Sequence, residues 1–257
     1  MSEIEALLHQ VVSNSLQNHA TVATDAPASE ADSQARRKLL EAVQQDQQAL
    51  DALIQLIVHN WERTPIPEVE AKIAFLGETD STQVSPQILE ALYLLAIMPS
   101  EPPLAQNTDE LGFINQLRQG AATGSGSFFT VAAVKGLVNL ANATPTKMAA
   151  NDYLYRLLDN DDLNLHHKVL IGLGDLQEPA PELFYRVLQL AEIKPIPRWL
   201  PSDFIVNGRA IEVLGCWGIV TPQVIDVVQL ALALSARAGD QLLHQYADDA
   251  LQKLQRH

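Results

Sequence analysis

Residues 158 to 168, LDNDDLNLHHK, gather the chain's densest set of chemically competent side chains: Asp159, Asp161, Asp162, His166 and His167. Carboxylates beside imidazoles suggest metal ligation. The stretch, however, has neither the glycine at the sixth loop position nor the glutamate at the twelfth that an EF-hand requires. Adjacent histidines on a helix project about 100° apart, so His166 and His167 do not converge on one ion. The pattern instead predicts an acidic turn that caps the following helix. Cys216 is the only cysteine. With a histidine as base it would be a nucleophile, but its setting, VLGCWGIV, is apolar and predicts a buried, inert thiol.

Other candidates carry less chemistry. GSGS at 124–127 follows no strand and lacks the GKS or GKT of a phosphate loop, so it reads as a linker. Glu68 with Glu70, and Asp248 with Asp249, are paired acids of the kind found on solvated helix ends, and they license no general acid or base. No catalytic, cofactor-binding or metal-ligating residue is assigned, and the chain is expected to be non-enzymatic. Trp217 falls at a position where repeated segments carry leucine and is expected to pack. Trp199 lies in the proline-rich IPRWLPSDF, beside Arg198 and near Phe204. These three are the candidate partner-binding residues, because tryptophan and arginine are enriched where interfaces hold most of their energy.

The elements that must position these residues are helical. Ile4, Leu7, Leu8, Val11 and Val12 predict a short helix over 3–18, followed by a loop containing Pro27. Leu39, Val43, Leu50, Leu53, Ile54, Ile57 and Trp61 predict a longer helix from Glu30 to Arg63, its stripe interrupted at Asp46 and Gln47 and its end set by Pro65 and Pro67. Beyond it the chain repeats itself. AVKGLVNLANATP (133–145), VLIGLGDLQEPAP (169–181) and AIEVLGCWGIVTP (210–222) align without gaps through their final prolines. Each proline opens an amphipathic segment, as helix-entry chemistry predicts, with Ser85 or Thr221 available as caps where VSPQILEALYLLAIM (84–98) and VTPQVIDVVQLALAL (220–234) share one phrase. The unit is helix, tight turn, helix, and its spacing of about 36 to 41 residues predicts an all-α solenoid.

On these segments, and most closely on VLIGLGDLQEP, the chain resembles the HEAT and armadillo-like helical repeat superfamily, in particular bacterial HEAT-like proteins. The resemblance covers 68–257 and implies an α-solenoid of helix pairs, with 1–67 as an N-terminal helical segment and a flexible insertion near 100–127 that holds a short helix from Thr108 to Leu117. The usual recurrent Asp and Arg between helices are missing. The C-terminal GDQLLHQYADDALQKLQRH is expected to cap the stack. Proteins of this kind serve as scaffolds that bind other proteins. The group also includes phycobilin lyases, which makes chromophore handling the alternative function, and a HEAT-like DNA glycosylase is similar in fold only.

Charge narrows the partner. The formal net charge is −14, and residues 1–130 hold 17 acidic and 6 basic side chains. Such a field repels phosphate backbones and favours a basic protein partner over nucleic acid. The N-terminal MSEIEALLHQ has no signal-peptide pattern and no apolar run approaches a membrane span, so a soluble, cytoplasmic protein is expected.

Overall fold

A computed structural model describes residues 6–7, 30–59, 73, 76–77, 86–98, 129–143, 146–193 and 204–256. Every regular element among the described residues is a helix, ten of them longer than ten residues, and none is a strand. Among the described residues no helix is long and apolar enough to cross a membrane. The chain forms two compact units, Met1–Lys147 and Met148–His257. The division expected near residue 67, the insertion near 100–127 and its short helix all fall outside the described residues. Of the helix expected over 3–18, only Ala6 and Leu7 are described, and both are helical.

In the first unit, the expected Glu30–Arg63 helix is two helices, α1 (Glu30–Gln45) and α2 (Gln47–His59). Asp46 makes the break. Its N–H still donates to Ala42 O at 3.0 Å, while its Oδ1 accepts from Gln48 N at 2.9 Å, which begins a new helix by N-capping. The polar pair that interrupts the apolar stripe is therefore a boundary. Leu39, Val43, Leu50, Leu53, Ile54 and Ile57 are buried as the stripe requires. α3 (Pro86–Ile97) packs against α4 (Phe129–Asn142) and touches α1 and α2. Thr130 Oγ1 at the start of α4 donates to Ala96 O at the end of α3 at 2.7 Å, satisfying a carbonyl that the helix itself leaves unpaired. Gly77 and Gly136 face each other so closely that a Cβ on the former would strike the backbone of the latter.

The second unit is a helical-repeat stack. Its helices are α5 (Lys147–Leu158), whose first residue belongs to the first unit, α6 (Leu163–Leu173), α7 (Pro181–Ala191), α8 (Ile205–Trp217), α9 (Pro222–Ala238) and α10 (Gln241–Leu254). The aligned segments mark helix ends and turns, and Pro181 and Pro222 open α7 and α9. The helix expected to open at Pro145 begins at Lys147. Asp162 caps α6, its Oδ1 accepting from Asn164 N at 2.8 Å and Leu165 N at 3.2 Å, and Thr221 caps α9 by accepting from Val224 N at 3.2 Å. Gly218 and Gly239, at φ 64° and 71°, end α8 and α9 in the left-handed region.

α6, α8 and α10 lie side by side, with α7 against α8 and α9 against α10. Side chains of later helices bind carbonyls at the ends of earlier ones. Arg186 Nε donates to Leu158 O at 2.8 Å, Trp217 Nε1 to Leu173 O at 3.1 Å, and Asn207 Nδ2 to Leu190 O at 2.8 Å and Glu192 O at 3.1 Å. Trp217 is 8% exposed and packs near Phe184, as its leucine-equivalent position predicts. Between α8 and α10 the backbones approach closely, because a Cβ on Gly215 would come within 2.6 Å of Ala250 Cα. α10 buries Leu243, Ala247, Ala250 and Leu254 and turns Asp248, Asp249 and Gln252 outward.

Two substitutions test this packing. Gly215→Ala is expected to destabilise the protein by about 1–3 kcal/mol in urea unfolding, since backbone must move. Gly174→Ala, whose Cβ would meet nothing nearer than Cys216 Sγ at 3.8 Å, is expected to be neutral or mildly stabilising. A third reads the carbonyl bonds: Trp217→Phe keeps an aromatic ring but leaves the Leu173 carbonyl with only its bond from Leu176 N at 3.1 Å, with an expected loss of roughly 0.5–1.5 kcal/mol.

Candidate functional site

Contacts between neighbouring helices set their register. His167 lies near Arg209, and Gly174 lies beside Cys216, so α6 and α8 run parallel at an offset of 42 residues. Gly215 meets Ala250, Gly208 meets Tyr246, and Lys253 Nζ donates to Cys216 Sγ at 3.2 Å, so α8 and α10 run parallel at an offset between 35 and 38, the larger values coming from the long side chains of Tyr246 and Lys253. Along α8 the solvent-facing positions are Ile205, Arg209, Glu212 and Cys216, one per turn. The same spacing on α10 gives Leu242, Tyr246, Asp249 and Lys253.

The register converts these columns into rungs. At the N-terminal ends of the three helices stand Leu163, Ile205 and Leu242, exposed by 66%, 38% and 50%. Below them come His167, Arg209 and Tyr246, then Glu212 and Asp249 with Ile171 beside them, then Cys216 and Lys253. Eight large apolar side chains are exposed among the described residues, and four of them, Leu163, Ile171, Ile205 and Leu242, belong to this face.

Arg209 organises the second rung. Its guanidinium carbon lies 4.9 Å from the centre of the Tyr246 ring, and NH1 pairs with Glu212 Oε2 at 2.7 Å. A cation held over an aromatic face and tied to a carboxylate has lost most of its rotamer freedom before any partner arrives. Its Nε is buried and has no hydrogen-bond partner among the described residues. His167 is half-buried, and its pKa is lowered by burial and by the neighbouring Arg209 and Lys168. This rung therefore carries its positive charge on Arg209.

Cys216 is exposed, contrary to expectation. Its apolar neighbours Val213, Leu214 and Trp217 point into the core, while the helical turn carries residue 216 round to the solvent-facing column of Arg209 and Glu212. Sequence neighbours on a helix say little about burial. Arg198 and Trp199 lie outside the described residues. Phe204 is 4% exposed and immediately precedes α8.

His166 faces the other way from His167. It is 2% exposed, and neither ring nitrogen has a hydrogen-bond partner among the described residues. The Leu158 and Asn160 carbonyls lie near the ring without meeting hydrogen-bond geometry, and Leu158 O is already bound by Arg186. Burial lowers the pKa of His166, with Arg186 acting in the same direction and the nearby carbonyls and Asp162 opposing. Among the described residues no three His, Cys, Asp or Glu side chains are placed to hold a metal ion.

Leu163, Ile205, Arg209 and Leu242 were not among the sequence-based candidates, although a signal for the apolar row exists. Adding the inter-helix offset to Leu163 leads to Ile205 and then to Leu242, but the offset exceeds the 41-residue sequence spacing by one and is set by packing.

No protein-family model matches this chain, and no curated protein does. Solved structures similar to it include two engineered proteins from the Northeast Structural Genomics Consortium. One has 15% identity and a TM-score of 0.38 over 100% of this chain and 98% of the other; the second has 18% identity and a TM-score of 0.36 over 100% of both. A designed armadillo repeat protein in complex with a (KR)4 peptide has 14% identity and a TM-score of 0.38 over 98% of this chain and all of that one. The helical-repeat architecture described above rests on the chain's own register.

The buried imidazole predicts a pH dependence. With its folded pKa below the ordinary 6.5, His166 binds its proton more readily in the unfolded chain. Its contribution to stability is therefore complete above that value and is lost as pH falls through it toward the folded pKa. Thermal unfolding between pH 7.5 and 5 is expected to show a steeper loss of Tm for the wild type than for His166→Phe. Parallel curves would assign the acid sensitivity to other groups.

Proposed function

We propose that this protein is a helical-repeat scaffold that binds another protein through the open face of α6, α8 and α10. The observation that supports this reading is the alignment of Leu163, Ile205 and Leu242 in one exposed row. Isolated exposed leucines are ordinary on soluble proteins, whereas a contiguous apolar row bordered by charge marks an interaction surface. Arg209, held on Tyr246 and tied to Glu212, stands next to that row with two residue types enriched at interface hot spots.

Arg198 and Trp199 stay proposed partner contacts on residue type alone, tryptophan and arginine being enriched at interface hot spots, whereas Phe204 is buried and contributes by packing. The acidic balance, net −14 overall, favours a basic partner and disfavours nucleic acid. A single, exposed cysteine suits a reducing, cytoplasmic location.

The test is capture from native extract on immobilised full-length protein, with bound proteins identified by mass spectrometry. The triple substitution Leu163→Ser, Ile205→Ser, Leu242→Ser changes only exposed side chains and should leave the circular dichroism spectrum intact. It is expected to reduce recovery of the captured partner by about tenfold or more. Equal recovery on the triple variant would refute this face as the binding surface.

A further inference from the structure

The shared phrase of α3 and α9 is covered in one copy and open in the other. Residues 84–98 align with 220–234, so Ala91, Leu94 and Met98 correspond to Val227, Leu230 and Leu234. The first three are buried, at 0%, 4% and 1% exposure, Ala91 and Leu94 within α3, which packs against α4 and touches α1 and α2, and Met98 just after its end. In α9, Leu230 is 47% exposed, and Val227 and Leu234 are half-buried. The residues that α9 does bury, Val224, Val228, Ala231 and Ser235, form a separate stripe. The open stripe, spaced by three and then four residues, lies about 100° round the helix from it. Where this stripe is covered, in α3, the neighbours are helices.

The charges beside the stripe specify which helix would fit. Asp226 and Arg237 are exposed on its outer flank, one near the start of α9 and one near the end, and neither takes part in an ion pair among the described residues. Eleven residues apart, they are separated by roughly 16 Å along the axis and do not reach each other. A helix laid antiparallel would pair with both if it carried an acid near its own start and a base near its own end. α9 is such a helix. It has 17 residues against 12 in α3, and its extra length supplies Leu234 and Arg237.

We propose that α9 is a self-association surface, on which two copies of this chain pair their α9 helices antiparallel about a two-fold axis near Leu230 and Ala231. Val227 of each copy then faces Leu234 of the other, and Asp226 of each comes within reach of Arg237 of the other. The two ion pairs are equivalent by symmetry, as an isologous interface requires. Antiparallel packing also sets the helix dipoles favourably. α9 contributes no residue to the rungs of α6, α8 and α10, so this surface stands apart from the partner-binding reading.

Sedimentation equilibrium of the full chain up to roughly 100 µM is expected to show a dimer. Leu230→Glu places a charge at a half-exposed position, keeps the helical spectrum, and is expected to give a monomer. Asp226→Arg or Arg237→Asp alone sets like charges together and is expected to weaken dimerisation about tenfold, while the double reversal restores it. In a Cys216→Ser background, Leu230→Cys is expected to cross-link copy to copy on oxidation, whereas Gln223→Cys cross-links only when Ala238→Cys is also present. A chain that stays monomeric, a dimer indifferent to Leu230→Glu, or a double reversal that fails to restore association would each overturn the proposal. The triple-serine capture assay reads the other face and is unaffected by any of these results.

Discussion

The arrangement of the second unit depends on one requirement: the last carbonyls of a helix have no partner within it and must find donors elsewhere. Here later helices supply donors beyond those of the following turn. Arg186 supplies Leu158, Trp217 supplies Leu173, and Asn207 supplies Leu190 and Glu192. Each bond fixes a later helix axially against the end of an earlier one. Dispersion and apolar burial alone would tolerate a slip of one turn at modest cost. A directional bond to a specific carbonyl does not, and a buried carbonyl left without a donor costs about 1–3 kcal/mol.

Once the axial position is set, glycine sets the separation. Gly215 lets α8 approach α10 to backbone contact at Ala250, and Gly208 leaves room for the Tyr246 ring. That ring, held there, becomes the platform for Arg209. The exposed face therefore inherits its geometry from buried interactions: a carbonyl bond determines which residues are level, and a missing Cβ determines how near they stand. Asp162 contributes at the other end of α6, where its carboxylate satisfies two backbone donors and fixes where Leu163 begins the helix.

What was legible in the sequence was local. Pro181 and Pro222 announce helix starts, Thr221 and Asp162 announce caps, and Trp217 announces packing through its place in the repeat. Each is decided by backbone chemistry within a few residues. Asp46 was visible as a polar interruption, but whether such a residue faces solvent within one helix or caps a second depends on the direction the chain takes next. Cys216 misled because its neighbours are apolar, and on a helix three apolar neighbours can all belong to the opposite side. The rungs were not legible because lateral register belongs to packing between helices far apart in sequence.

Because α6, α8 and α10 run parallel, their peptide dipoles point the same way and add. The helix dipoles thus place fractional positive charge along the edge that carries Leu163, Ile205 and Leu242, where Asp162 and Asp240 cap α6 and α10, and fractional negative charge along the edge that carries Cys216, where Lys253 offsets it. The chemistry of the face is graded in the same direction, greasy at one border and ionic toward the other. Such a surface has a top and a bottom. A partner docked on it turned end for end, or displaced by a single rung, would set its own apolar groups against Arg209 and Glu212, so the face would select orientation before identity.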